Sequence, residues 1–305
     1  MLAIAPLGAP LAAQQVADSA FVPAIGAPRW PAGRGPRLVL DEAHHNFHTL
    51  AGRYLAFGRL AAADGFRVAA GRAPFTDASL RDVDVLVIAN ALAARNAGDS
   101  WRLPTPSAFT GDEIAAVRRF VERGGGLLLV ADHMPFAGAA EALGAALGVQ
   151  FANGFAEDSA ATAVPLLFRR GADGERRAAL GAHAAILGSG VGAIDSVATF
   201  TGSAFRLTAP GVPLLRLPRT TRVWMPVEAW VFGDTVPKLA GPGWLQGAAL
   251  AVGRGRVVVL GEAAMLSAQR AGAQRAPMGM NHPRAGQNAL FGARALRWLA
   301  AGGAR

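Results

Sequence analysis

Four short apolar runs along the chain share one pattern. Arg37–Asp41, Asp84–Asn90, Gly126–Asp132 and Arg256–Glu262 are near-continuous rows of aliphatic residues, each closed by a carboxylate or an amide. Unbroken apolar runs, unlike alternating ones, mark strands buried on both faces, as happens when helices cover a parallel sheet on each side. The segments between them carry the helical period. Leu50, Tyr54, Phe57 and Ala61 form one stripe. Thr110-Gly111-Asp112-Glu113 has capping-box spacing and opens a helix with Ile114, Val117 and Val121 on its apolar face, which stops at Gly124-Gly125-Gly126. A third helix is predicted over about 138–147 with Leu143 and Leu147 inward, and a last one over about 286–300 that buries Phe291, Ala295 and Trp298. The prediction is an α/β fold: an open, mostly parallel, doubly wound sheet with helices on both faces. Between about residues 152 and 245 the pattern breaks into pieces such as Ser196–Phe200 and Leu214–Leu217, separated by Gly and Pro. This region reads as an insertion of antiparallel strands and loops that extends one sheet edge and overhangs the site, within a single domain spanning 30–305.

At 305 residues, 52% apolar, with mean hydropathy +0.28, the chain has material for a sizeable core. It contains no cysteine, which removes disulfides, thiolate metal sites and a cysteine nucleophile at once. The net charge of +9 comes from arginines scattered along the chain, Lys238 being the single lysine, with no basic run interleaved with aromatics. No nucleic-acid partner is expected from that distribution. The first residues, Met1–Ala13, are small and apolar, and a polar stretch follows. They resemble the second half of a secretory signal peptide, so residues 1–20 read as a leader remnant with linker and the protein as extracytoplasmic, periplasmic or secreted. The alternative is an alanine-rich N-terminus of a cytoplasmic protein. No later stretch reaches the roughly 18–20 uninterrupted apolar residues of a membrane span, so none is expected in the mature chain.

In an open parallel sheet, ligands sit beyond the carboxyl ends of the strands. Asp41, Glu42, His44, His45, Asn46 and His48 follow the first run, Asp132 and His133 the third, and Glu262, then Asn281 and His282, the last. Five of the six histidines thus fall on loops expected to converge, and these residues are the candidate pocket. His44 and His48 are four apart, so a helix beginning as early as Ala43 would set both on one face. With His133, and Glu262 approaching from a neighbouring strand end, they would offer nitrogen and oxygen ligands to a divalent transition metal such as Zn²⁺, Mn²⁺ or Fe²⁺. His133, Glu262 and Glu42 are then the catalytic candidates, with Glu262 or Glu42 as base toward a metal-bound water. The structural alternative is that Asp41 and Asp132 cap helices, Asn46 holds a left-handed turn and the histidines bond loop carbonyls. His183 lies apart and reads as structural. No G-x-S-x-G elbow is present for a serine nucleophile, and Gly188–Gly192 reads as a flexible turn. Trp101, Trp224, Trp230 and Trp244 lie in loops or in the inserted region, where they either stack on a sugar or pack beneath a loop.

The stretch Leu40–Thr49, the segment Phe120–Leu129 and Gly261–Met265 resemble uncharacterised bacterial proteins of the class I glutamine amidotransferase-like superfamily. That superfamily includes trehalose-utilisation-type proteins and the amidotransferase-like domains of gliding-motility and intraflagellar-transport proteins. The resemblance covers most of residues 30–300 and implies a flavodoxin-like sheet. Its enzymes carry a cysteine at the strand-to-helix elbow, which here reads Val130-Ala131-Asp132-His133-Met134-Pro135. Glutaminase chemistry through a thioester is therefore excluded. Three readings stay open: a domain binding a small polar molecule such as a carbohydrate, a metal-dependent hydrolase, and an assembly domain with an envelope protein partner.

Overall fold

The computed structural model describes residues 15–98, 100–160 and 164–303; the apolar run Met1–Ala13 lies outside them. After β1 (Gln15–Ala17) come β2 (Arg37–Asp41), α1 (Leu55–Ala63), β3 (Arg67–Gly71), β4 (Val85–Ala89), α2 (Gly111–Glu122) and β5 (Gly126–Val130), with a loop and no helix between β3 and β4. Two short helices follow, α3 (Phe136–Ala139) and α4 (Glu141–Ala146), and then β6 (Val149–Phe151), β7 (Phe155–Asp158), β8 (Leu166–Arg169) and β9 (Ala179–Leu180). Beyond α5 (Ala184–Leu187) come β10 (Ser196–Thr199), β11 (Phe205–Leu207), β12 (Val212–Arg216), β13 (Thr221–Trp224) and β14 (Lys238–Leu239). The chain closes with β15 (Leu245–Val252), β16 (Gly255–Leu260), β17 (Ala268–Ala271), β18 (Ala276–Gly279) and α6 (Asn288–Ala300).

The apolar runs become the parallel heart of the large sheet, in the order β3-β2-β4-β5-β16. Their side chains alternate between two cores, because successive residues of a strand point to opposite faces. Leu38, Leu40, Val87 and Leu128 pack with Phe57 of α1 and Phe291 of α6. Val39, Leu86, Ile88 and Leu129 pack on the other face with Val117 and Phe120 of α2 and Leu143 of α4. The unbroken runs thus form a mostly parallel central sheet with an apolar core against each set of alternating side chains. The chain leaves β2 for β3 on one side and later places β4 on the other, so the strand order reverses between β2 and β4.

Beyond β16 the sheet continues through β15, β12, β9, β8 and β10, antiparallel at every pairing except that of β8 with β9, which is parallel. β7, β13 and β14 form a separate small sheet, and β1 pairs with the β17–β18 hairpin in another. Two expectations need local correction. The stretch read as a third helix is two, parted at Ala140, and its Gly138 abuts Thr105 and Asn153 so closely that a side chain would not fit. Helix α1 begins only at Leu55, leaving residues 44–48 as loop with His45 at φ +46°.

Candidate functional site

The parallel register places the strand ends side by side. Ala89 of β4 lies opposite Val130 of β5, and Val130 opposite Leu260 of β16, so Asn90, Asp132 and Glu262 emerge along one edge. The loops after β2 and β4 are knitted across the reversal point: Phe47 N–H donates to the Asn90 carbonyl (2.9 Å) and Leu92 N–H to that of His44 (2.8 Å). The loop histidines nevertheless divide between two environments.

His44 belongs to a closed ionic network. Its Nδ1 lies 2.9 Å from Asp41 and its Nε2 lies 2.8 Å from Oε1 of Glu113, while the ring packs against Phe75 and Phe109. Asn46 donates to the other Asp41 oxygen (3.0 Å) and accepts from His44 N–H (3.0 Å). Glu113 also completes the capping box of α2: its Oε2 accepts from Thr110 N–H (2.9 Å), and Glu113 N–H donates to Thr110 Oγ1 (3.3 Å). Burial works against the charged ring of His44, yet Asp41 and Glu113 outweigh it and raise the pKa above 6.5. Burial likewise disfavours ionised Glu113, but its bonds to Thr110 and His44 hold it at about 2. Both carboxylates facing His44 are satisfied, so this cluster is an imidazolium clamp between the β2 loop and α2.

His48 and His133 share the second environment, a cavity of about 30 Å³ also lined by Phe47, Asn90, Asp132, Phe136 and Trp230. The Asp132 carboxylate accepts from His133 N–H (2.7 Å) and Ala263 N–H (3.2 Å), and its own N–H donates to Asn90 Oδ1 (3.0 Å). His133 Nδ1 donates to the Met134 carbonyl (2.6 Å), because a carbonyl only accepts. His48 is 3% exposed, and neither of its ring nitrogens has a partner among the described residues. Burial, Arg53 and His133 push its pKa well below 6.5, so the ring is neutral. Asn90 Nδ2, Trp230 Nε1 and Gln269 Oε1 around the same cavity are also buried without a partner there.

The remaining expected residues stand outside this cavity. Glu42 accepts from Leu50 N–H (2.9 Å) and pairs with Arg72 (3.2 Å), and His45 is exposed. Glu262 is fully buried and accepts from Ala264 and Met265 N–H (2.9 and 2.8 Å); burial and nearby Asp132 raise its pKa well above 4.5. Asn281 donates to Asp18 (3.0 Å), and His282 accepts from Arg284 N–H (3.1 Å). His183 caps α5 through Nδ1. The metal triad of His44, His48 and His133 is not assembled: both nitrogens of His44 are engaged with carboxylates, and residues 44–48 are not helical. Among the described residues no group of three or more His, Asp or Glu has an arrangement that could hold a metal.

Three residues of these clusters stood outside the candidate pocket read from the sequence. Asn90 ends its run as Asp41 and Asp132 end theirs, and that shared ending is the signal that could have found it. Glu113 was legible only as a cap. Trp230, read only as one of four tryptophans that stack on a sugar or pack beneath a loop, reaches His133 with ring centroids 4.7 Å apart.

No protein family matches the chain, and no curated protein does. Among solved structures, the mmIFT52 N-terminal domain superposes with TM-score 0.57, covering 86% of this chain and 97% of that one at 12% identity. A thua-like protein from Bacteroides uniformis gives 0.49 at 14% identity, covering 90% and 95%. Another from Parabacteroides merdae gives 0.42 at 11%, covering 88% and 91%. At such identities the likeness is one of fold.

Proposed function

We propose that this chain is an extracytoplasmic amidotransferase-like domain, without glutaminase activity, that binds a small polar ligand at the C-terminal ends of its parallel strands. The observation that carries the reading is His48, a neutral ring buried at 3% exposure whose two nitrogens find no partner in the described chain. Leaving a buried polar group unpaired costs about 1–3 kcal/mol, and a ligand group that hydrogen-bonds it recovers that cost. The cavity of about 30 Å³ has room for the tip of a ligand and not for its whole body. A hydroxyl suits the tip, since it donates to one neutral imidazole and accepts from Asn90 or Trp230. Carbohydrates and polyols carry such groups.

The test is a thermal-shift screen of monosaccharides, disaccharides and polyols on wild type and His48→Phe. The expected outcome is a ligand that raises the wild-type midpoint and leaves that of His48→Phe unmoved. Equal shifts in both proteins, or none across the screen, would remove the reading. Export rests on the Met1–Ala13 run and is checked by fractionating cells that express the full chain. Retention in the cytoplasm counts against it.

A further inference from the structure

Beside the cavity, and sharing Trp230 and Thr201 with it, runs a groove of about 430 Å³ lined almost wholly by residues of the 152–245 region. Its wall is aromatic: Phe155, Trp224, Trp230 and Phe232. The rings meet edge to face, with Phe155 and Phe232 at 5.1 Å and 84° and Trp224 and Phe232 at 5.8 Å and 76°, so the wall is a fixed cluster of rings. The charged lining is acidic only. Glu157 and Asp158 border the groove, and no Lys, Arg or His is among the described lining residues, in a chain whose net charge is +9.

Two details point to a ligand. Gln246 borders the groove at 1% exposure, and its Oε1 has no partner among the described residues, so it is free to accept from a ligand hydroxyl such as that of an amino alcohol. Glu157 is held at the ring edge by Trp224, whose Nε1 donates to Oε2 at 2.6 Å, so its charge is positioned beside the aromatic wall. The ammonium of Lys238, outside the lining, lies 3.7 Å from the Trp224 centroid and takes one face of that ring, which leaves Trp230, Phe232 and the other Trp224 face for a ligand.

We infer that this groove binds the head of a small alkylated ammonium compound. An aromatic wall attracts a cation through its ring quadrupoles, Trp most strongly, and more so where water is excluded. A metal ion would need a cage of oxygens in place of ring faces, and an anion would be repelled by both carboxylates. An alkylated ammonium is weakly hydrated and apolar at its surface, which suits ring faces and flanking carboxylates together. The inference goes beyond the cavity reading and does not require the cavity to be filled.

The test uses the full chain at low salt, titrated by calorimetry and tryptophan fluorescence with choline and with 3,3-dimethylbutanol, its uncharged carbon analogue of the same shape. Choline is expected to saturate, and the alcohol to bind at least about tenfold more weakly, because it lacks the cation–π and carboxylate terms. Glu157→Gln, which keeps an acceptor for Trp224, should weaken choline about tenfold. Phe232→Ala, at a side chain 46% exposed and so safe for folding, should also weaken it, and His48→Phe should leave it unchanged. Equal affinity for both compounds, no saturation by choline, or an unchanged Glu157→Gln affinity would each overturn the groove. A polyol that binds through His48 while choline fails would overturn this inference and leave the cavity reading standing.

Discussion

His44 and His48 lie four positions apart on one loop and titrate in opposite directions. His48, its pKa lowered by burial and by Arg53 and His133, cannot take a proton in the folded state that it takes freely when unfolded below pH 6.5. The unfolded state then binds more protons, so stability falls as pH drops below about 6.5, by up to about 1.4 kcal/mol per pH unit for one group. His44 is raised, so its contribution is fully present below 6.5 and is lost as pH rises through its folded value. His48→Phe, which keeps the edge-on contact with Tyr54, should therefore lose less stability than wild type between pH 7 and pH 5.5 in urea titrations. Equal losses would mean that His48 is not held neutral. Glu113→Ala removes the capping-box carboxylate and the His44 partner together. A loss of about 2–3 kcal/mol is expected by chemical denaturation, against less than about 1 kcal/mol for Asp112→Ala in the same exposed first turn.

Helix α6 is tied to its neighbours through one buried side chain, Asn288. Asn288, buried at its first turn, accepts from Ala198 N–H (2.9 Å) and donates to the carbonyls of Ala198 (2.8 Å) and Met265 (3.0 Å). One amide thus ties the C-terminal helix to the edge strand β10 and to the turn after β16. Asn288→Ala should cost roughly 2–4 kcal/mol, read as a lowered denaturation midpoint, because it strands buried backbone groups. Asn288→Asp keeps only the acceptor and should fall between. At this scale the sequence was mostly readable. Thr110-x-x-Glu113 opened its helix as the spacing required, and the apolar runs became β2, β4, β5 and β16. It failed at β3, whose Arg-Val-Ala-Ala-Gly stretch on the sheet edge is too small and polar to stand out, and at Ala43, where no helix starts.

For the molecule as a whole, stability should be graded from the parallel centre outward. β4 and β5 are buried at every residue, whereas β14 of the small sheet beside the groove is exposed at both of its residues. Hydrogen exchange followed by mass spectrometry should find the amides of β4 and β5 slowest and those of β13 and β14 much faster, since local opening follows buried contacts. Uniform protection would mean that the inserted region and the sheet open as one unit. Faster opening of the small sheet would fit a wall that lets ligands into the groove.

The sequence alone determined the layer architecture, the sheet edge at which polar residues gather, and the absence of cysteine chemistry. These are properties of each run of residues: aliphatic strands demand burial on both faces, and the residue after the last aliphatic position emerges at the strand end. Only the tertiary structure decided which of those residues act together. Glu113, 69 positions away, claims the second nitrogen of His44 and takes that ring out of any metal site. Trp230, reaching over from the insertion, joins His48 and His133 at the cavity. The partners of an imidazole, and hence its charge and free lone pairs, depend on through-space neighbours brought together by long-range packing, which no local pattern encodes.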